Sequence, residues 1–174
     1  MNLIKHAEGV YEIEEFLDEK QRTIFLSEAQ IDINWTTPSA GNTIKDMNDN
    51  LTLEIKNIYK NIETFFINIE SIMHSNHLRR LKNSEFMWPH TDFTPPNSPT
   101  EIVFGIAIYL NDDFSGGELI YPDLGLSITP KAGSIVIHKA KIKHQIFPVL
   151  NGERYSISTF VFGDESTTFN YAKH

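Results

Sequence analysis

A histidine and an aspartate stand two positions apart in "MWPHTDFTPP", as His90 and Asp92. Residues i and i+2 of an extended chain project from one face, so a strand over Phe86 to Asp92 turns Trp88, His90 and Asp92 the same way. An imidazole beside a carboxylate supplies two ligands of the facial 2-His-1-carboxylate arrangement that suits non-haem Fe(II). Downstream, His138 and His144 are both candidates for the remaining position. A lone strand histidine is more often a hydrogen-bonded structural residue, so the pair needs support from the rest of the chain. Zinc accepts the same donors with one position open, but no His-Glu-x-x-His arrangement accompanies them here.

Support comes from "HQIFPVLNGERYSISTF", where an Asn-Gly turn precedes a strand that carries Arg154 and Ser156 on one face. An arginine turned into an apolar interior is costly unless it meets an anion. Its planar fork matches a carboxylate, to which the Ser156 hydroxyl adds a bond. A dicarboxylate cofactor would satisfy both, whereas zinc hydrolysis leaves Arg154 unexplained. On "EIVFGIAIYL" one face carries Val103, Gly105, Ala107 and Tyr109, small residues that leave room beside a phenol donor; a core tyrosine fits the same pattern. His138 alternates with Ser134 and Val136, which reads as a satisfied structural histidine first and a partner of the metal ligands second. Lys139, Lys141 and Lys143 of "HKAKIKHQ" read first as a solvated edge, and second as a basic rim toward an acidic or nucleic-acid-bound target. Arg79, Arg80 and Lys82 extend that rim if the two segments lie close.

The elements that must position these residues fall into two halves. "VYEIEEFLDEK" opens with a strand at Val10 to Ile13 and a helix that Asp18 caps, with Phe25, Leu26 and Ala29 on its inner face. The stretch from Ile31 to Asn50 reads as an irregular connection. Apolar residues recurring at three and four positions from Leu51 to Ile72 predict a long amphipathic helix to about His74 that covers a sheet. His74 and His77 then stand at its end, where they cap or solvate it. After His77 come short alternating runs, "EIVFGIAIYL", "GELIYP", "LSITP", "GSIVIH", "HQIFPV" and "RYSISTFVF", separated by Gly, Pro and Asn turns. The pattern predicts an α+β chain with a mainly β core, a jelly roll flanked by N-terminal helices. The expected division is one domain over 1–174: a strand and supporting helices over 1–77, the jelly roll over 78–163, and a polar tail over 164–174.

At 174 residues one sizeable core is affordable, and a 40% hydrophobic fraction is that of a globular chain. A net charge of -8 argues against a general nucleic-acid or membrane surface. The absence of cysteine removes disulfides, thiolate metal sites and cysteine nucleophiles, and is compatible with a reducing, cytoplasmic setting. Met1 to Val10 is too polar for a signal peptide, and no apolar run reaches membrane-spanning length.

From roughly Phe86 to Phe162 the chain resembles the Fe(II)- and 2-oxoglutarate-dependent dioxygenases, most closely the prolyl 4-hydroxylase-like branch. The resemblance rests on "HTD", "YLNDDFSGGELIYPDLG", "ITPKAGSIVIH", "HQIFPV" and "GERYSIS", in that order, with "VYEIEEFLDEK" as the opening strand and helix. It implies a double-stranded β-helix. It also implies that His90, Asp92 and His144 hold the iron, that Arg154 binds the distal carboxylate of 2-oxoglutarate with Ser156 assisting, and that Tyr109 reaches the same carboxylate. The implied reaction consumes 2-oxoglutarate and O2, releases succinate and CO2, and hydroxylates a C–H bond, with ascorbate as a reductant. The implied partner is a protein or peptide substrate, hydroxylated at proline. Alternatives are another side chain, a free amino acid or small molecule, and a non-catalytic jelly-roll binding module. One departure bears on substrate: where many of that branch carry a tyrosine and a glycine-rich turn, "LRRLKNSEFMWPH" has Arg79, Arg80, Lys82 and no glycine.

Overall fold

The computed structural model describes residues 1–39, 42–94, 98 and 100–171. In chain order the elements are β1 (Asn2–Ala7), β2 (Val10–Glu14), α1 (Glu19–Ala29), β3 (Thr36–Ser39), β4 (Asn42–Asp46), α2 (Asp49–Glu63), β5 (Phe66–Ile67), β6 (Ser71–Ile72), β7 (His77–Leu81) and β8 (Met87–His90). There follow β9 (Glu101–Tyr109), β10 (Ser115–Gly116), β11 (Leu119–Tyr121), β12 (Leu126–Ile128), β13 (Ile135–Lys139), β14 (His144–Ile146), β15 (Val149–Asn151), β16 (Arg154–Gly163) and β17 (Thr168–Phe169).

Two main antiparallel sheets are built from them, beside the two-stranded β10–β15 and β17–β5 pairs. The larger runs β1-β2-β13-β9-β16-β7-β4-β3, and the smaller runs β12-β11-β14-β8. Strand alternation gives the larger sheet two different faces. Ile106 and Ile108 of β9, Ile135 and Ile137 of β13 and Tyr155 and Ile157 of β16 pack with Phe25 of α1 and with Leu51, Ile55, Ile58 and Ile62 of α2. The alternate residues, among them Val136 and Tyr109, pack with Leu119, Tyr121, Ile128 and Ile146 of the smaller sheet. This is a double-stranded β-helix with helices on one outer face. Each aliphatic side chain buried under α2 stabilises the assembly by roughly 1.5–3 kcal/mol relative to exposure.

Both helices start where side chains can satisfy their free N–H groups. Asp18 and Gln21 form a reciprocal capping box on α1, with Asp18 Oδ1 accepting from Gln21 N at 2.7 Å. Asn48 Oδ1 accepts from Leu51 N at 3.1 Å on α2. α2 is shorter than its apolar spacing predicts: it ends at Glu63, and Asn68 takes a left-handed φ of 56° that no α-helix can contain. The apolar residues beyond Glu63 reach the core from strands instead. Phe66 pairs with Phe169, and Ile72 pairs with Val161. His77 therefore opens β7 and does not cap a helix.

Three further expectations are corrected. The connection from Ile31 to Asn50 contains the β3–β4 hairpin, whose β-branched Thr36, Thr43 and Ile44 suit a strand and extend the larger sheet through β7. Asn2–Ala7 adds an edge strand, β1, beside the anticipated β2. The 164–174 segment is not merely a polar tail: β17 pairs with β5, and Phe169 is buried and stacks on Tyr11 at 4.3 Å between ring centroids. Residues 172–174 lie outside the described residues. No helix among the described residues is long and apolar enough to cross a membrane.

Candidate metal centre and anion pocket

A cavity of about 440 Å³ opens between the two sheets, within the size range of small-molecule sites. His90 ends β8 and lies directly opposite His144, which starts β14. Asp92 stands just beyond β8, where its N–H donates to the Ala140 carbonyl at 3.0 Å. Pairing and anchoring thus bring ligand atoms of His90, Asp92 and His144 within 4.8 Å of one another.

The imidazoles are oriented by their own backbone. His90 Nδ1 lies 2.8 Å from the Trp88 carbonyl, and His144 Nδ1 lies 3.0 Å from the Ile142 carbonyl. A carbonyl only accepts, so each Nδ1 carries the proton and donates. Each Nε2 then keeps its lone pair, as metal-ligating histidines require. His144 Nε2 sits 3.9 Å from Asp92 Oδ1. Burial, more than any neighbouring group, pushes the His144 pKa down to about 4, so the ring is neutral near pH 7. Burial alone would raise the Asp92 carboxyl. The hydrogen bond from His138 and the surrounding imidazoles outweigh it and hold the carboxyl below its ordinary value.

His138 belongs to this cluster through Asp92. Its Nε2 donates to Asp92 Oδ2 at 3.1 Å, and its Nδ1 accepts from the fully buried Tyr121 hydroxyl at 3.0 Å. Of the two histidines open for the third ligand position, His144 faces His90 and Asp92 in the cluster, while His138 positions the carboxylate. Gly105 makes the contact possible, because a Cβ there would collide with Asp92 Oδ2 and approach His138 Nε2 at 2.6 Å. Tyr121 carries no signal in the sequence, since "GELIYP" reads as any strand with an aromatic inside.

Arg154, buried at the start of β16, lines the same cavity with Ser156. Its Nη1 donates to Ser156 Oγ at 3.1 Å, and its Cζ lies 4.9 Å from the centre of the Tyr109 ring. Arg154 Nε and Tyr109 Oη are buried without a hydrogen-bond partner among the described residues. Burial raises the Tyr109 pKa, so the phenol keeps its proton and remains a donor. A carboxylate accepting from Arg154 and Tyr109 supplies what both lack. These residues therefore suit a 2-His-1-carboxylate metal with an anionic ligand behind it.

The supposed basic rim divides. Arg79 lines the cavity, whereas Arg80 turns to the opposite face, donates to Asp32 at 2.6 Å and lies 4.4 Å over the Trp35 ring. Lys139 and Lys141 border a separate depression together with Glu8, Glu101, Asp164 and Glu165, so their charge is locally offset. Trp88, expected to face the same way as His90 and Asp92, does not line the cavity and packs edge-on against Phe86; Phe93, itself exposed, borders the cavity mouth. Of the loop after Asp92, residues 95–97 and 99 lie outside the described residues.

No family model and no curated protein matches the sequence. Solved structures do. The chain is similar to a prolyl-4-hydroxylase from Pseudomonas putida, with a TM-score of 0.67 at 16% identity over 90% of this chain and 93% of that one. The chain has the fold of the prolyl 4-hydroxylases. A viral collagen prolyl hydroxylase from Paramecium Bursaria Chlorella virus-1, solved as a 2-oxoglutarate complex, gives 0.64 at 15% identity, covering 89% of this chain and 96% of that one. A prolyl hydroxylase from Trichoplax adhaerens, solved with a hypoxia inducible factor peptide, gives 0.64 at 13% identity over 89% and 84%. At such identities the hydrophobic pattern and the strand pairings persist where most individual side chains do not.

Proposed function

We propose that the protein is an Fe(II)- and 2-oxoglutarate-dependent hydroxylase. The observation that carries this reading is the cluster of His90, Asp92 and His144, whose imidazoles are oriented by their backbone bonds and share a cavity with Arg154, whose buried Nε has no partner among the described residues. His90 and His144 would ligate Fe(II) through Nε2 and Asp92 through a carboxylate oxygen, with His138 and Tyr121 fixing the carboxylate's angle. When bound, Fe(II) with 2-oxoglutarate and O2 supplies the oxidant that converts a C–H bond to C–OH, leaving succinate and CO2.

The chain's own residues bind and orient. Arg154, Ser156 and Tyr109 hold the distal carboxylate of 2-oxoglutarate, which fixes the co-substrate's length along the cavity. Leu81, Leu119, Ile146 and Ala107 line the surrounding wall and exclude water. Ascorbate would serve as the reductant that keeps the metal ferrous. The target we favour is a proline in a protein or peptide. Its support is the fold shared with prolyl hydroxylases, one of them solved with a peptide.

The test is mass spectrometry of a host lysate incubated with the protein, Fe(II), ascorbate and 2-oxoglutarate. The expected result is the gain of one oxygen atom localised to proline in a peptide. Oxygen gain confined to free small molecules overturns the peptidyl target. The absence of both oxygen gain and succinate overturns the hydroxylase.

A further inference from the structure

Arg79 is a second guanidinium in the cavity, and it has no acid. On β7 it pairs in register with Ser156 of β16, and it lines the cavity alongside Leu81, Arg154 and Ser158. Its neighbour Arg80, sent to the other face by strand alternation, is matched by Asp32. Arg79 makes no hydrogen bond or ion pair with any described residue, and its Nε is buried. Burial, and then repulsion from Arg154, lowers its pKa against the weaker, longer-range attraction of Asp92, with which it makes no ion pair; the net direction marks a cation held against its solvation preference. An unpaired guanidinium is costly in such a place unless an anion joins it.

Asp92 does not serve as that anion, because His138 engages it and it faces His144 in the metal cluster. The co-substrate does not serve either. One of its carboxylates would be held by Arg154, and the other would be taken up at the metal. Two guanidiniums and a divalent metal then exceed Asp92 and those two carboxylates by one positive charge. We propose that Arg79 receives a carboxylate carried by the primary substrate, held close to the carbon that is hydroxylated. The inference rests on the hydroxylase reading and narrows its substrate to an acid. The carboxylate belongs either to a free amino acid or to an acidic residue adjoining the target in a peptide, and the chemistry at Arg79 is the same for both.

The experiment uses anaerobic protein loaded with Fe(II) and 2-oxoglutarate, with Arg79→Met and Arg79→Lys beside the wild type. Affinity for 2-oxoglutarate is read from the visible band of the metal–keto acid pair. The loaded protein is then titrated with L-proline and L-prolinamide, and with tetrapeptides that place Glu or Gln next to proline; perturbation of that band reports binding. The expected result is that one acid in these pairs binds wild type about 10- to 100-fold more tightly than its amide, as for loss of a charged hydrogen bond. Arg79→Met erases that preference, Arg79→Lys keeps part of it, and 2-oxoglutarate affinity changes less than about twofold in both. Preference within the free pair assigns an amino acid, and preference within the peptide pair assigns an acidic peptide. Equal binding of acid and amide by wild type overturns the proposal, as does a loss of 2-oxoglutarate affinity in Arg79→Met that matches the loss of acid binding. A wild-type protein that never forms the band overturns the hydroxylase reading itself, a separate outcome.

Discussion

Adding a single methyl group at Gly105 tests how Asp92, a proposed metal ligand, is positioned. Gly105 of β9 pairs in register with His138 of β13, and a Cβ there would collide with Asp92 Oδ2 and stand 2.6 Å from His138 Nε2. Ordinary contact begins at 3.4 Å, so the imidazole must retreat by about 0.8 Å and the carboxylate must shift as well. A shift of that size breaks the 3.1 Å hydrogen bond between them. A hydrogen bond to a charged group contributes about 1.5–3 kcal/mol. That corresponds to about 10- to 100-fold in a metal-binding constant, the usual cost of losing the partner of a ligating group. Gly105 does not use the left-handed backbone reserved for glycine, so the alanine adds no torsional strain. The assay is Co(II) titration of metal-free Gly105→Ala and wild type by visible absorption, with circular dichroism to confirm that the variant is folded. Equal Co(II) affinity in a folded Gly105→Ala would refute the claim that His138 and Gly105 hold Asp92 in place.

Arg154→Met should weaken 2-oxoglutarate binding by about 100-fold while leaving Co(II) affinity within about threefold, measured by parallel titrations; equal loss of both would place Arg154 in a general structural role. Tyr109→Phe should weaken 2-oxoglutarate by about tenfold, since it removes one buried donor and little volume; unchanged affinity would return Tyr109 to the core alone. The His144 pKa of about 4 lies below the ordinary 6.5, so between those values the unfolded chain binds more protons than the folded one. Stability of the metal-free protein should therefore rise with pH from about 4 to 6.5, by at most about 1.4 kcal/mol per pH unit from this group, and denaturant melts that show no such dependence in His144→Asn but retain it in wild type would assign it. Ile58→Ala, under the larger sheet and 1% exposed, should cost about 2–5 kcal/mol in the same melts without altering Co(II) affinity.

The β core was legible because strands buried on one face write their alternation into the chain. "EIVFGIAIYL" separates Ile106 and Ile108 from Gly105, Ala107 and Tyr109 as β9 does. The end of α2 was not, because Phe65, Phe66 and Ile72 continue a helical spacing while packing from a turn and two short strands. His-x-Asp was visible as a pair, and the structure adds the third residue of the cluster, a second imidazole, through the register that sets His144 opposite His90. The adjacent arginines show the limit most plainly. Alternation says that Arg79 and Arg80 face opposite ways, but which one enters the cavity is decided by the pairing of β7 with β16, a contact distant in sequence.

Occupancy of the cavity by Fe(II) and 2-oxoglutarate is tested most directly by one anaerobic titration. Fe(II) added to the metal-free protein with 2-oxoglutarate should produce the weak visible band of a keto acid bound to the metal through two oxygens, and His90→Ala, Asp92→Ala and His144→Ala should each abolish it. A folded wild-type protein that gives no band, or a band that survives loss of Asp92 or either histidine, would contradict the assignment of this cavity as an Fe(II) and 2-oxoglutarate site.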